Sequence, residues 1–184
     1  MALTKTPICN FGEEAKNFNL ISTDNKQISL NDIKGEKGTL IMFICNHCPY
    51  VKAIIKDLVD DVKYLEGIGV NSVGIMSNDV KNYPEDSFIN MGAFSKSNNF
   101  SFPYLIDETQ DIAKKYGAVC TPDFFGYNKK LELQYRGRFR ELKDLKPVET
   151  GDSDLKEAMK LIAETGNGPK NQIPSMGCNI KWFK

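Results

Sequence analysis

The stretch Thr39-Leu40-Ile41-Met42-Phe43-Ile44-Cys45-Asn46-His47-Cys48-Pro49-Tyr50-Val51 decides how the chain is read. Thr39 to Ile44 is an unbroken apolar run, as expected of a strand buried on both faces of a sheet. After Pro49 the apolar residues Val51, Ile54, Ile55, Leu58, Val62 and Leu65 recur at helical spacing and stop at Gly67. A strand and a helix are thus joined by a turn that holds two cysteines. If Pro49 takes the first helical position, where proline is favoured, Cys48 is the N-cap. Its sulfur then lies near unpaired N–H groups and the positive end of the helix dipole, which favour a thiolate. Cys45 lies three residues earlier, at the strand end or in the turn.

Outward from this unit the period keeps switching. Ser72 to Met76 reads as a second strand. Pro84, followed by Glu85 and Asp86, reads as the first turn of a helix. Asp107-Glu108-Thr109-Gln110 has capping-box spacing ahead of a short helix that ends at Tyr116, with Gly117 as a left-handed cap. Asp123 to Tyr127 and Leu131 to Arg138 read as a hairpin around Asn128-Lys129-Lys130. Leu155, Ala158, Met159 and Ile162 mark one face of a last helix that stops near Gly166. The pattern predicts an α/β three-layer sandwich with a central mixed sheet and an N-terminal hairpin extension. The expected organisation is one domain over residues 1–184, with 167–184 as a tail packed on it and pinned by Trp182, the only tryptophan.

Composition narrows the function classes. Lys plus Arg equals Asp plus Glu at 24 each, so no net field draws the chain to nucleic acid or an anionic membrane. No apolar run reaches the roughly 20 residues of a membrane helix, and the first residues lack a secretory pattern. A cytoplasmic location is therefore expected. The five cysteines, Cys9, Cys45, Cys48, Cys120 and Cys178, are an odd number, unlike a secreted disulfide scaffold.

Two cysteines in a strand–turn–helix context point to thiol redox chemistry, with Cys48 as nucleophile. Buried reduced thiols would be the inert reading of the same pair. Because Val51 occupies the position one turn inside the helix, a partner for Cys48 is expected in Cys45 or in Cys120. Cys120-Thr121-Pro122 precedes a strand, and a cis peptide is plausible there. Cys178 is balanced between structural and redox roles, and Cys9 reads as incidental. His47 either tunes the Cys48 thiolate or points to solvent, the latter being favoured. Arg136, Arg138 and Arg140 alternate as on a solvated edge strand, with an anionic-substrate patch as the lesser reading. Ser77-Asn78-Asp79 follows a strand end, where either a site or turn chemistry accounts for it.

Several segments resemble the peroxiredoxin-like, AhpC/TSA-type branch of the thioredoxin superfamily. They are Gly12-Glu13-Glu14-Ala15-Lys16-Asn17-Phe18, Phe43 to Val51 around the two cysteines, and Tyr83-Pro84-Glu85-Asp86-Ser87. Phe102-Pro103-Tyr104-Leu105-Ile106-Asp107 and Gly177-Cys178-Asn179-Ile180-Lys181-Trp182 complete the set. The resemblance implies a thioredoxin-like fold in which a cis-proline, here Pro122, faces the redox cysteines. It implies a thiol-dependent oxidoreductase of antioxidant type, with Thr121, Pro122, Pro49 and His47 beside the substrate. Peroxiredoxins carry Pro-x-x-x-Thr-x-x-Cys and a remote arginine. Here Ile41 and Cys45 hold the proline and threonine positions, and Cys120 stands where the arginine would be. His47-Cys48-Pro49 is also similar to copper-delivery proteins of the Sco type. Lys52 replaces their second cysteine, and His47 is the only histidine.

The leading expectation is therefore a thiol–disulfide oxidoreductase without metal or organic cofactor. It would act on protein or small-molecule disulfides and draw electrons from a thioredoxin- or glutathione-type reductant. A thiol peroxidase acting on peroxide is the second reading. A non-catalytic soft-metal protein binding through Cys45, Cys48 and Cys120 or Cys178 is the third.

Overall fold

The structure is a computed structural model that describes residues 3–184. In chain order its elements are β1 (Leu3–Lys5), β2 (Asn19–Ser22), β3 (Gln27–Ser29), α1 (Leu30–Ile33), β4 (Gly38–Phe43) and α2 (Pro49–Gly67). Then come β5 (Val70–Met76), α3 (Phe88–Ser97), β6 (Tyr104–Ile106), α4 (Asp111–Tyr116), β7 (Cys120–Thr121), β8 (Asp123–Asn128) and β9 (Leu133–Tyr135). The chain closes with β10 (Leu142–Lys143), β11 (Lys146–Pro147), α5 (Asp154–Thr165) and β12 (Met176–Asn179).

Seven strands form the main sheet in the order β3-β2-β6-β5-β4-β8-β9. β4 runs parallel to β5 and antiparallel to β8, so the sheet is mixed, as expected. The β2–β3 hairpin extends it through β6. Alternation along β4 explains the three layers. Leu40 and Met42 join one buried cluster with Ile54 and Leu58 of α2 and Leu155 and Ile162 of α5. Ile41 and Phe43 join the opposite cluster with Ile33 of α1 and Tyr116 of α4. Each fully buried aliphatic side chain contributes about 1.5–3 kcal/mol, and the whole inner stripe of α2 is of this kind. No helix among the described residues is long and apolar enough to cross a membrane.

Several local expectations are corrected. Pro84 opens only a 3-10 turn, Pro84–Asp86, and the α-helix starts at Phe88 behind its own cap, Ser87. No capping box precedes α4: its N-cap is Gln110, in left-handed backbone. Asp107 nevertheless caps from outside the helix, its carboxylate accepting from the Ile112 and Ala113 N–H groups. The β9 strand stops at Tyr135, so Arg136, Arg138 and Arg140 do not share an edge-strand face. Arg136 is instead buried, donating to Asp123 and lying over the Phe125 ring. Trp182 is 38% exposed and is not the pin of the tail. Strand pairing holds the tail: β12 sits between β1 and β7 in a second, three-stranded sheet.

Candidate functional site

The site forms where β4 ends and α2 begins. Cys48 is the N-cap of α2 and Pro49 its first residue, so the local reading of this segment holds. The sulfur makes no capping hydrogen bond, and the nearby Val51 N–H lowers its pKa only slightly. Three thiols meet instead. Cys178 Sγ lies 3.2 Å from Cys48 Sγ, the Thr121 carbonyl oxygen lies 3.1 Å away, and Cys45 reaches the same sulfur from the turn. Cys45 Sγ also contacts the Thr121 hydroxyl at 3.4 Å. Cys48 has no exposed surface, Cys45 is 1% exposed and Cys178 4%.

A hydrogen bond from Cys45 holds the Cys48 thiol down, to about 5, against the cost of burial, with Cys178 and Thr121 adding to the effect. The Thr121 carbonyl opposes this, since it accepts only from the protonated form. With several donors set against one acceptor, the net direction is downward. The neighbours respond the other way. Cys45 is pushed well up because its proton is shared with Cys48 and because it is buried. Burial and the same donor role push Cys178 up to about 12. Of the three thiols that meet here, Cys48 is the most acidic.

Cys120, the other expected partner, sits elsewhere. Its sulfur rests 3.6 Å from the Pro122 carbonyl oxygen, and burial pushes its thiol up. Among the described residues it makes no hydrogen bond to Cys48. The reason lies in strand alternation: Thr121, not its neighbour Cys120, faces the site from β7. The Thr121–Pro122 peptide is cis, as was plausible from the sequence. Beside Pro122 opens a groove of about 300 Å³, lined by Tyr50, Ile54, Arg138, Phe139, Arg140 and Leu142 among others.

His47 is not turned to solvent. Its Nδ1 lies 2.6 Å from the Asp86 carboxylate, and its ring stacks on Tyr83. Its pKa is raised by that hydrogen bond, while Asp86 is lowered because donors from His47 and Asn78 outweigh its burial. Asp86 also accepts from the Asn46 and His47 backbone N–H groups. The Asn78 amide donates to Asp86, and its oxygen accepts from the Lys181 N–H in the tail. One buried carboxylate thereby ties the cysteine turn to the chain end. Sequence reasoning missed Asp86 in this role; the Ser77-Asn78-Asp79 segment at a strand end was the signal available.

Cys45 Sγ, a His47 ring nitrogen and an Asp86 oxygen lie within 4.8 Å of one another, a spacing that could suit a metal ion. The donor chemistry argues against that use. Both Asp86 oxygens already accept from two N–H groups each, and His47 Nδ1 is one of those partners. A metal would have to displace bonds that position the turn.

Comparisons with known proteins bear on the family and the fold. The profile of the AhpC/TSA family matches residues 11–139. The crystal structure of an uncharacterized conserved protein from Geobacillus kaustophilus superposes with a TM-score of 0.94 at 38% identity, covering 100% of this chain and 97% of that one. The thiol-disulfide oxidoreductase ResA of Bacillus subtilis is 28% identical over 117 residues, 64% of this chain and 61% of that protein. The chain thus spans less than two thirds of the length of this curated relative. A thioredoxin domain of a thiol-disulfide oxidoreductase from Bacteroides vulgatus shares the fold, with a TM-score of 0.58 at 16% identity over 68% of this chain and 86% of that one.

Proposed function

The chain belongs to the AhpC/TSA family and has a thioredoxin-like fold, and from that premise we propose that it is a thiol–disulfide oxidoreductase working through Cys48. The observation that carries this reading is the Cys48 sulfur at the start of α2 with two further thiols against it. The Cys48 thiolate attacks one sulfur of a substrate disulfide and forms a mixed disulfide, expelling the other half as thiolate. A neighbouring thiol then attacks the Cys48 sulfur, releases the second half and leaves a disulfide within the protein. A thioredoxin- or glutathione-type thiol reopens that bond, so the cycle needs no metal or organic cofactor. The groove lined by Pro122 and Tyr50, the chain neighbours of Thr121 and Pro49, is where a disulfide-bearing substrate would lie.

Magnitudes show what the low pKa is good for. Moving a thiol from about 8.5 to about 5 raises its thiolate fraction at neutral pH about thirtyfold. Intrinsic nucleophilicity falls by about the same factor, given a Brønsted slope of about 0.4–0.5. Attack gains little. Departure gains: Cys48 leaves readily from any disulfide it has formed, which supports a cycling exchanger.

The peroxidase reading has less support, because the polar neighbours of Cys48 Sγ are thiols and Thr121, with no arginine among them, while Arg136 is committed to Asp123. An odd count of five cysteines favours a reducing compartment such as the cytoplasm. The test is dithiothreitol-coupled reduction of insulin disulfides. Cys48→Ser is expected to fall to the uncatalysed rate, and wild-type turnover by this variant would overturn the proposal. Rapid peroxide consumption without disulfide turnover would instead favour the peroxidase.

A further inference from the structure

Two thiols compete to displace substrate from Cys48. Cys45 is the near neighbour in sequence, three residues away in the same turn. Cys178 comes from the far end of the chain, on β12, opposite Thr121 of β7 and Leu3 of β1. Its sulfur is 3.2 Å from that of Cys48, so closing a bond of about 2.05 Å needs a movement of only about 1.2 Å.

Access separates the two. Cys48 and Cys45 have 0% and 1% exposure against 4% for Cys178, so with β12 seated Cys178 is the sulfur nearest to an external reductant. The N-terminal end of α2 is covered by β12, a four-residue strand held by three register pairs to β1 and two to β7. With β12 seated, Cys48 has no exposed surface and Cys178 lies against its sulfur. Gly177 shows how close that docking is. A Cβ there would fall inside the Thr121 carbonyl oxygen, so only glycine lets the strand seat.

We infer that Cys178 is the resolving thiol of this protein, and that β12 is the mobile cover that admits substrate and then delivers it. The inference rests on Cys48 being the attacking thiol. In the resolving step the Cys178 thiol loses its proton to solvent and its sulfur attacks Cys48 Sγ. The S–S bond to the substrate breaks, and the substrate half leaves as a thiolate. The substrate disulfide is thereby reduced to two thiols while the Cys48–Cys178 pair is oxidised to a disulfide. An external dithiol then attacks Cys178, the more exposed sulfur, and expels Cys48 as the stable thiolate. The second thiol of that reductant displaces Cys178 and becomes the oxidised product.

Reduced full-length protein is mixed with one equivalent of a symmetric aryl disulfide whose thiolate is coloured, and the product is mapped by mass spectrometry. Wild type and Cys45→Ala are expected to release two thiolates per disulfide and to hold a Cys48–Cys178 bond. Cys178→Ala, with Cys178→Ser as the more conservative check on folding, is expected to release one and keep the aryl adduct on Cys48. A wild-type map showing Cys45–Cys48, or a persistent Cys48 adduct, would overturn the inference while leaving the proposed function standing. Unchanged thiolate release by Cys48→Ser would instead remove the proposed function.

Discussion

The two thiols that hold Cys48 arrive by opposite routes. Cys45 is placed by the chain next to it: a buried strand ends, a turn follows, and Pro49 starts a helix. Cys178 is placed by strand pairing across 130 residues of sequence, through β12 docking on β7 and β1. The first contact exists wherever this turn exists. The second exists only while a short terminal strand stays seated. One site therefore combines a fixed donor with a removable one, and the removable one carries the access control.

Removing the support that both regions share gives the largest effect. Asp86→Ala strips the acceptor from the Asn46 and His47 backbone, the His47 ring and the Asn78 amide. Several buried donors left unpaired cost about 3 kcal/mol or more, visible as a large drop in thermal midpoint. Cys48 is also expected to alkylate faster, because the turn and the tail loosen together.

Gly177→Ala acts on the tail alone. The clash with the Thr121 carbonyl is expected to cost about 1–3 kcal/mol and to unseat β12, so Cys48 reacts faster with iodoacetamide while α2 keeps its helicity by circular dichroism. Unchanged Cys48 reactivity in that variant would mean that β12 is no cover.

A pair of variants ranks the two donors. A hydrogen bond to a charged group is worth about 1.5–3 kcal/mol, or about one to two pH units. Cys45→Ala should raise the Cys48 pKa from about 5 by about that amount, and Cys178→Ala should raise it less, because the Cys45 bond is the stronger influence. The smallest effect belongs to His47. Asp86 raises its pKa above the ordinary 6.5. What His47 adds to stability is thus complete below about that pH and fades as pH climbs through the raised value. Proton NMR of the single imidazole in wild type and Asp86→Asn reads this directly, with the variant titrating lower.

The same contrast explains what could be read without coordinates. Features written in consecutive residues were legible: the buried run Thr39 to Ile44, Pro49 at the first helical position, the apolar stripe of α2 and the Gly117 cap. Cys48 as N-cap followed from them. Features made by distant pairing were not. Pro84 and its acids carry the pattern of a helix start, but Asp86 is spent on the cysteine turn. The three arginines alternate like an edge strand, yet a buried carboxylate at Asp123 draws Arg136 inward and ends the strand. Reading by residue alone named Cys120 as a partner for Cys48 and left Cys178 balanced between two roles. Only the register of β12 on β7 puts one beside Cys48 and leaves the other beside Pro122.

If neighbouring thiols hold Cys48 as a thiolate, its ultraviolet absorbance across a pH titration reports this without any need for access to the sulfur. One thiolate is expected to appear around pH 5 in the wild type and to be missing in Cys48→Ser. A wild-type protein that shows no thiolate until the ordinary cysteine range, about 8.5, would contradict it.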